Sequence, residues 1–501
     1  MVPTLSSEVC QKSARVFLSA AANSLSIVFY ISSRLQVMRV CCVAERGFDM
    51  SVLLIFLTLA LLIVGAWRGV SVLILAPLLA TLAAAISGTP VFAGYTQIFM
   101  QAAGGFVVAF FPLFLLGALF GKVMEASGAA ARLASAIAAA LGPQNAILAV
   151  VLACGLLTYG GVSLFVVAFA AWPLAHALFV QTGLPQRLIP ATIALGAFTF
   201  TMTALPGTPS IQNAIPMATF GTTAFAAPGL GLIAGAIMLA LGLVWLQWRV
   251  RALSADRVAA VTNTATVAGS MPLWRAAAPI LSVGVVTLVM GSVVLPLLDT
   301  GYLADPEYGA TELSRVRGLW SVIAALAVAL MLALFLSRPA QLMKTLNEGA
   351  ESALLPLFNT ASLVGFGAVI ATLPGFEIFR QSLDGLAGGN VLISAALSSA
   401  ALSGITGSAS GGMSIALDVL GPSIVAQAAI QGVDPALLHR VIAVATGGLD
   451  TLPHNGAVVT LLGICGMTHR QAYGDIFVVA VVVPTIACAL IVTLGMMFGS
   501  F

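Results

Sequence analysis

The chain of 501 residues is 60% hydrophobic and only 7% charged, with a formal net charge of +3. Soluble globular domains are about one quarter charged, so this composition excludes a soluble fold and indicates a polytopic membrane protein in contact with lipid. Its apolar runs are continuous rather than alternating, which predicts helices and excludes a barrel of strands, and no basic stripe with interleaved aromatic residues points to nucleic acid.

The first 49 residues differ from the rest of the chain. They carry several basic residues and one weak apolar run, 16–31, which is interrupted by Asn23 and several serines. No small-residue cleavage site follows that run, so a cleaved leader is not indicated. We therefore expect residues 1–49 to be an N-terminal extension outside the working fold, which begins near Met50.

The remainder of the chain contains an internal duplication. "PLF" at 112–114 returns at 356–358, and "GGVS" at 160–163 returns as "GGMS" at 411–414. Five such matches occur in the same order at offsets of 244 to 251 residues, and repeats at one fixed period indicate repeated structure. We predict a transmembrane repeat at 50–250, a linker at 251–274 and a second transmembrane repeat at 275–501.

Each repeat is predicted to be all-helical, with about five spanning helices, a re-entrant hairpin and an unwound helix. The segment 145–181 is too long for one crossing and breaks at "TYGGVS", which leaves two arms of about 14–17 residues. The spanning helices of the first repeat are predicted at about 51–67, 69–87, 104–121, 188–226 and 229–248. Five crossings is an odd number, so the second repeat must be inverted relative to the first.

The charges indicate the same arrangement. Lys and Arg concentrate in cytoplasmic loops, and the linker 251–274 and its flanks hold four arginines against one aspartate. The stretch 299–314 holds four acidic residues and is predicted to be external. Only Arg315, Arg317 and Arg380 are exceptions on the outer side.

Four polar breaks interrupt the apolar segments, two in each repeat. Two are the hairpin tips, "TYGGVS" (158–163) and "TGSASGGMS" (406–414), and two are the unwound centres "LPGTPSIQN" (205–213) and "LDTLPHNG" (449–456). Pro and Gly free backbone groups there, which the bilayer tolerates only where protein or a water-filled cavity satisfies them. Broken helices in inverted repeats are typical of secondary transporters; Pro kinks with small-residue packing are the structural alternative.

The breaks supply the candidate site residues. For substrate binding these are Gly161, Ser163, Thr208, Ser210 and Asn213 from the first repeat, and Ser408, Ser410, Ser414, His454 and Asn455 from the second. Ionisable residues inside spans are functional candidates by default, and the proton-coupling candidates are Asp418, Asp450 and His454. His176 lies near the end of a hairpin arm, where interfacial packing is the favoured interpretation. The first break is neutral and is expected to bind substrate mainly, and the second to couple binding to protons.

Signatures of enzymes and cofactors are missing from the sequence. It contains no Walker A motif, no HExxH and no CxxC pair, and its glycine-rich stretches lie inside apolar helices. We expect no catalytic residues, no metal and no cofactor. An integral membrane enzyme is the least favoured class, since only Asp450 and His454 offer an acid–base pair.

The polar breaks and their flanks resemble the gluconate permease (Gnt-type) family of the ion transporter superfamily, in a branch without a characterised member. The likeness rests on 157–175, 189–216, 403–418 and "HRVIAVATGGLDTLPHNGAVVTLLGICG" (439–466), and it extends over about 50–500. The family implies proton-linked uptake of sugar acids or related organic anions across the bacterial inner membrane, inverted repeats with hairpins, and a homodimer. Gly456 stands where the family's gluconate transporters have an acid, which favours another carboxylate over gluconate itself.

The sequence thus predicts a multi-pass inner-membrane permease, a symporter that carries a small organic anion such as a hydroxycarboxylate with protons. Sodium coupling is an alternative within the class, since carbonyls at breaks with Ser, Thr and Asn side chains also bind Na⁺. A channel or a non-transporting membrane partner is the alternative of another class.

Overall fold

The structure is a computed structural model that describes residues 47–68, 70–162, 164–253, 271–373, 375–376, 388–453 and 455–501. The N-terminal extension up to residue 46, most of the linker, Ser163, Arg380 and His454 lie outside the described residues. Every regular element within those ranges is a helix, and seven helices are long and apolar enough to cross a membrane.

The helices fall into two series. The first is α1 (Gly47–Trp67), α2 (Val72–Ser87), α3 (Val91–Ala126), α4 (Ala129–Leu141), α5 (Ala146–Tyr159), α6 (Leu164–Thr182), α7 (Ile189–Ala197), α8 (Phe200–Thr203), α9 (Ile211–Phe220) and α10 (Pro228–Ala252). The second is α11 (Leu273–Leu297), α12 (Leu313–Leu336), α13 (Leu342–Ala371), α14 (Val391–Thr406), α15 (Ala409–Gln431), α16 (Pro435–Leu449), α17 (Gly456–Ile464) and α18 (His469–Phe498).

The two series have the same order of elements. The pairs α5/α14, α6/α15 and α9/α17 begin at 146/391, 164/409 and 211/456, so each pair is separated by 245 residues. This is the offset at which most of the sequence matches recur. The duplication seen in the sequence is therefore a duplication of helices.

Corresponding helices pack antiparallel, which is the signature of inversion. Along α3 and α13, Lys122 Nζ lies 3.4 Å from Glu348 Oε2, while at the other end Gly365 packs against Phe99. Along α10 and α18, Arg249 pairs with Asp475, and 20 residues before Arg249 the Gly229 amide donates to the Phe501 carbonyl oxygen at 2.8 Å. Two equivalent helix pairs that run in opposite directions require inverted repeats.

Contacts at the two ends of the bundle agree with the predicted sides. Arg132 Nε on α4 donates to the Met271 carbonyl oxygen at 2.9 Å, which joins α4 to the end of the linker that is predicted to be cytoplasmic. On the opposite end, Asn390 Nδ2 donates to Met496 Sδ at 3.4 Å.

Each hairpin returns to its starting side. In the second repeat, Gln431 at the end of α15 bonds both the Gly389 carbonyl oxygen (2.8 Å) and the Val391 amide (3.1 Å) at the start of α14. In the first repeat α6 packs against the turn at Pro143–Asn145 that precedes α5. The second arm of the first hairpin, α6, has 19 residues and exceeds the predicted 14–17, and its counterpart α15 has 23 residues.

Three further details differ from the sequence prediction. The predicted span 188–226 breaks at Pro206 and Pro209, as the unwound centre 205–213 predicts, but a second, unpredicted break at Phe198–Thr199 separates α7 from α8. The predicted span 104–121 is part of α3, whose 36 residues tolerate Pro112 inside the helix. The helix α4 was not predicted; its alanine-rich amphipathic sequence is too short to span, and it meets the following helix at 112°.

Candidate functional site

The polar breaks of the two repeats form two groups around the middle of the bundle. We call residues 204–210, between α8 and α9, break 1, and residues 450–455, between α16 and α17, break 2. Tip 1 is residues 160–163, between α5 and α6, and tip 2 is residues 407–408, between α14 and α15. Each break lies in the middle of a broken span, as expected for a transporter site.

Break 1 is a closed loop held by backbone and amide hydrogen bonds. Gly207 has φ +81°, a left-handed conformation that favours glycine, and its amide donates to the Ala224 carbonyl oxygen at 2.9 Å. Asn213, fully buried on α9, donates through Nδ2 to the carbonyl oxygens of Thr208 (2.9 Å) and Ala224 (3.0 Å). Ser210 Oγ donates to the Met202 carbonyl oxygen at 2.5 Å.

Tip 1 packs directly on break 1. Gly161 has φ +88°, and a Cβ atom on it would lie 2.9 Å from Pro209 Cγ. Tyr159, at the end of α5, donates its hydroxyl to the Pro206 carbonyl oxygen at 3.0 Å. The structure therefore brings Gly161, Thr208, Ser210 and Asn213 together.

Break 2 is closed by its own asparagine and by α18. Asn455 donates to the Asp450 carbonyl oxygen at 2.8 Å, and its Oδ1 accepts from the amides of Ala457 and Val458, so it caps α17. The Tyr473 hydroxyl donates to the Thr451 carbonyl oxygen at 3.1 Å.

Tip 2 packs on break 2 through Asp450. This side chain is 9% exposed, the backbone amide of Ala409 at the start of α15 faces its carboxylate, and its Oδ1 has no hydrogen-bond partner in the described part of the chain. Ser408 caps the same helix by accepting from the Gly411 amide at 3.1 Å.

The other candidates lie further along the hairpin arms. Ser410 Oγ is 3.4 Å from the hydroxyls of both Thr360 and Ser408, and Ser414 is buried with no partner for its Oγ among the described residues. Asp418, one turn beyond Ser414, is exposed on α15 and stands apart from break 2. His176 stacks on Trp172 with ring centroids 5.3 Å apart.

The two groups differ in how their helix N-termini are occupied. In the second repeat, Asn455 caps α17 and Ser408 caps α15, and the Asp450 carboxylate faces the first amide of α15. In the first repeat, Ser210 precedes α9 but makes no side-chain cap, since its hydroxyl donates elsewhere. Among the described residues, the amides of Ile211 and Gln212 have no acceptor, so the positive end of α9 is free to interact with an anion.

Four buried polar residues near break 1 were not among the sequence candidates. Thr158 Oγ1 and Gln212 Oε1 lack partners within the described ranges, although both residues are less than 8% exposed. His439 and Arg440 on α16 are fully buried. The available signal for the last two was an ionisable pair at the start of an apolar run, which in a membrane span indicates function.

Antiparallel repeats, paired hairpins and two broken helices define an all-helical, multi-pass membrane protein with a transporter fold. The Alcanivorax borkumensis YdaH transporter, a crystal structure with an unusual topology, resembles it with a TM-score of 0.53 and 16% sequence identity. The match covers 81% of this chain and 90% of that one. At this identity the likeness is one of fold.

A relative of similar sequence defines the family. The uncharacterized transporter YxjC of Bacillus subtilis (strain 168) is 41% identical over 456 residues, which are 86% of this chain and 96% of the relative. No protein-family model matches the sequence. The chain belongs to the family of the transporter YxjC.

Proposed function

We propose that the protein is a secondary active transporter that moves a small organic anion, a hydroxycarboxylate such as a sugar acid, together with protons. The observation that carries this proposal is the asymmetry of the breaks. Among the described residues, no side chain caps the helix N-terminus at break 1, whereas Asn455 caps the helix at break 2 and Ser408 caps the helix at tip 2, which the buried Asp450 carboxylate also faces.

Break 1 is the proposed anion site. Helix N-termini bind carboxylates through free amides and the helix dipole, and the amides of Ile211 and Gln212 at the start of α9 are free in the described structure. Thr158 and Gln212 place unpartnered polar atoms in the same buried region. These groups would bind the carboxylate and a hydroxyl of the substrate, with tip 1 closing over them.

Break 2 is the proposed coupling site. A buried carboxylate with an unpartnered oxygen is costly in its charged form, so Asp450 would take up a proton when its surroundings close. His454 lies beside it in the chain and remains a candidate for the same role. Uptake of a proton and an anion together moves less net charge than uptake of the anion alone.

Sodium is a second candidate coupling ion. The hairpin of the second repeat, α14 and α15, is called hairpin 2. Its two arms bury Ser399, Ser403 and Ser414, and the hydroxyl of each has no partner among the described residues. Ser403 contacts Gly412 across the hairpin, and the neighbouring Gly404 packs on Leu449 beside Asp450. Hydroxyl and carboxylate oxygens are suitable ligands for a hard cation, and break sites in transporters bind Na⁺ in this way.

The proposal places the protein in the bacterial inner membrane, as a homodimer whose hairpin-bearing parts move against a fixed scaffold. The first experiment is thermal stabilisation of the purified protein by gluconate, glycerate, lactate and citrate, each at an acidic and a neutral pH. Uptake into proteoliposomes under a pH gradient or a Na⁺ gradient then separates the two ions. Saturable accumulation above the outside concentration supports a transporter; flux that only equilibrates the anion would indicate a channel, and no flux with any carboxylate would overturn the proposal.

A further inference from the structure

His439 and Arg440, on α16 of the second repeat, form hydrogen bonds with residues of the first repeat that flank break 1. Both side chains are fully buried. Arg440 Nε and Nη2 donate to the Ala226 carbonyl oxygen at 3.0 and 2.9 Å. Nη2 also reaches the Ala224 carbonyl oxygen and Nη1 the Thr203 carbonyl oxygen, each at 3.3 Å.

These carbonyl groups explain why an arginine is buried there. Thr203 ends α8, and Ala224 and Ala226 lie in the turn between α9 and α10, so the three oxygens lack full helical partners. The planar guanidinium has five donors in a fixed fork and reaches all three, which a lysine ammonium cannot do. In the described residues Arg440 makes no ion pair, so backbone dipoles alone offset its charge.

His439 is fixed between two side chains of the first repeat. Asn213 uses Nδ2 for two carbonyl oxygens, so its Oδ1 accepts, and His439 Nε2 at 3.0 Å must carry the hydrogen. Nδ1 lies 2.6 Å from Thr222 Oγ1 and accepts from that hydroxyl in the neutral ring. Each ring nitrogen of His439 therefore has a hydrogen-bond partner, and neither is free to accept a further proton.

The same helix carries Asp450 at its other end. From Arg440 to Asp450 is ten residues, about 15 Å along a helix, and on the way Gly447 packs against Thr203 beside break 1. Ala224 connects break 1 with α16, because its carbonyl oxygen accepts from the Gly207 amide, from Asn213 and from Arg440. A shift of α16 at break 2 is therefore transmitted to the loop of break 1.

We infer that His439 and Arg440 are positioning residues that couple the two breaks: they fasten α16 to break 1, so that the state of Asp450 sets the affinity of the anion site. This inference rests on the proposed function. The pair does not touch the substrate and does not carry the proton. Coupling between sites needs such a physical connection and a difference in affinity that can be measured.

The test compares the pH dependence of anion binding in four full-length proteins: wild type, Arg440→Met, Asp450→Asn and the double variant. The probe is gluconate or glycerate, whichever stabilises the wild type. If one proton is taken up with the anion, the wild-type Kd changes by up to about tenfold per pH unit. We expect Arg440→Met to reduce this to less than about twofold, as Asp450→Asn does, with no further loss in the double variant.

A merely structural arginine gives a different result. In that case Arg440→Met weakens binding by the same factor at both pH values and leaves the pH dependence intact, which would overturn the inference. Arg251→Met, at the exposed end of α10, is the matched control. Because the loss of Arg440 threatens folding, Thr222→Val serves as the milder variant, with the exposed Thr493→Val as its control; Thr222→Val should also lower the pH dependence.

A second measurement separates this inference from the proposed function. If the wild type binds no carboxylate, the proposed function fails, and the fastening of break 1 can still be measured by amide hydrogen exchange. The Gly207 amide, bonded to Ala224, should exchange at least about tenfold faster in Arg440→Met than in wild type, as expected when a local opening becomes easier. Unchanged exchange at Gly207 would show that Arg440 does not hold break 1.

Discussion

Asn213 and Asn455 make the same hydrogen bond in the two repeats. Each donates through Nδ2 to the carbonyl oxygen five residues earlier, Thr208 at 2.9 Å and Asp450 at 2.8 Å. Their positions are not equivalent, since Asn213 is the third residue of α9 and Asn455 precedes α17. In both breaks an asparagine side chain therefore binds a buried backbone carbonyl group that has no helical partner. The two asparagines occupy different positions relative to the helix that follows.

Replacing either asparagine should open its break. Asn213→Ala leaves the Thr208 carbonyl oxygen and His439 Nε2 without a buried partner, which costs about 2 kcal/mol. We expect a lower melting temperature of the detergent-solubilised protein and loss of anion stabilisation. Asn455→Ala should lower the melting temperature as well and remove the cap of α17.

Asn145→Ala is the matched control, because its side chain makes a similar bond to the Leu141 carbonyl oxygen but is exposed. Its effect should stay within about 0.5 kcal/mol. Equal losses at Asn145 and Asn213 would show that the closure of break 1 has no special importance.

Two tyrosines donate to carbonyl groups at equivalent positions of the two breaks. Their replacement should have different effects on transport. Tyr159 donates to Pro206 and Tyr473 to Thr451, two positions separated by 245 residues. Each hydroxyl contributes about 1 kcal/mol. In uptake assays, Tyr159→Phe should raise the KM for the anion, and Tyr473→Phe should change the pH dependence of uptake instead.

The exposed Tyr302→Phe controls for loss of a phenol hydroxyl. If Tyr159→Phe and Tyr473→Phe change the same kinetic parameter to the same extent, the proposed division between an anion break and a coupling break is wrong.

The fold could be predicted from the sequence because each sign of the duplication lies in a short stretch of residues. The matches between repeats, the continuous apolar runs and the Pro-Gly clusters place the hairpins and broken helices, and an odd number of crossings requires inversion. The length of α6 could not be predicted, because hydropathy alone does not fix the residue at which an apolar helix ends.

Contacts among the candidate residues could be predicted only at the breaks, where Gly, Pro and Asn cluster in the sequence. Gly161, Asn213 and Asn455 lie at Gly, Pro and Asn clusters and do meet other break residues. Arg440 binds carbonyl groups 214 to 237 residues away, so no local pattern connects them. Whether a helix N-terminus is free also depends on where one hydroxyl points, as Ser210 shows by donating to Met202.

Arg249 and Asp475 fasten α10 to α18 and should matter for stability. The pair is bidentate, with Nε–Oδ1 at 2.5 Å and Nη2–Oδ2 at 3.3 Å, and Trp245 Nε1 donates to Oδ1 at 3.2 Å. Asp475 is almost fully buried, so Arg249→Met leaves a buried carboxylate without its cation and should cost about 3 kcal/mol. Differential scanning fluorimetry in detergent measures the loss.

An apolar replacement of both partners provides the sharper test of that pair. Buried ion pairs can often be exchanged for hydrophobic residues without loss, so Arg249→Met with Asp475→Leu should recover most of the melting temperature. The exposed pair Lys344–Glu348, at 3.9 Å, is the control, and Lys344→Ala should be nearly neutral. Failure of the double variant to recover would mean that the charges themselves are required there.

Asp450 and Asp418 were both candidates for proton coupling, and their surroundings now separate them. Asp450 is buried against tip 2 with an unpartnered oxygen, whereas Asp418 is exposed on α15. Asp450→Asn should therefore abolish acid-driven accumulation in proteoliposomes while exchange of labelled for unlabelled anion continues, because the neutral amide mimics the protonated acid. Asp418→Asn and the loop variant Asp305→Asn should retain pH-dependent uptake. His454→Ala should reduce the pH dependence if the histidine assists Asp450; pH-driven accumulation that survives Asp450→Asn would exclude break 2 as the proton site and leave the serines of hairpin 2 and a Na⁺ gradient as the alternative.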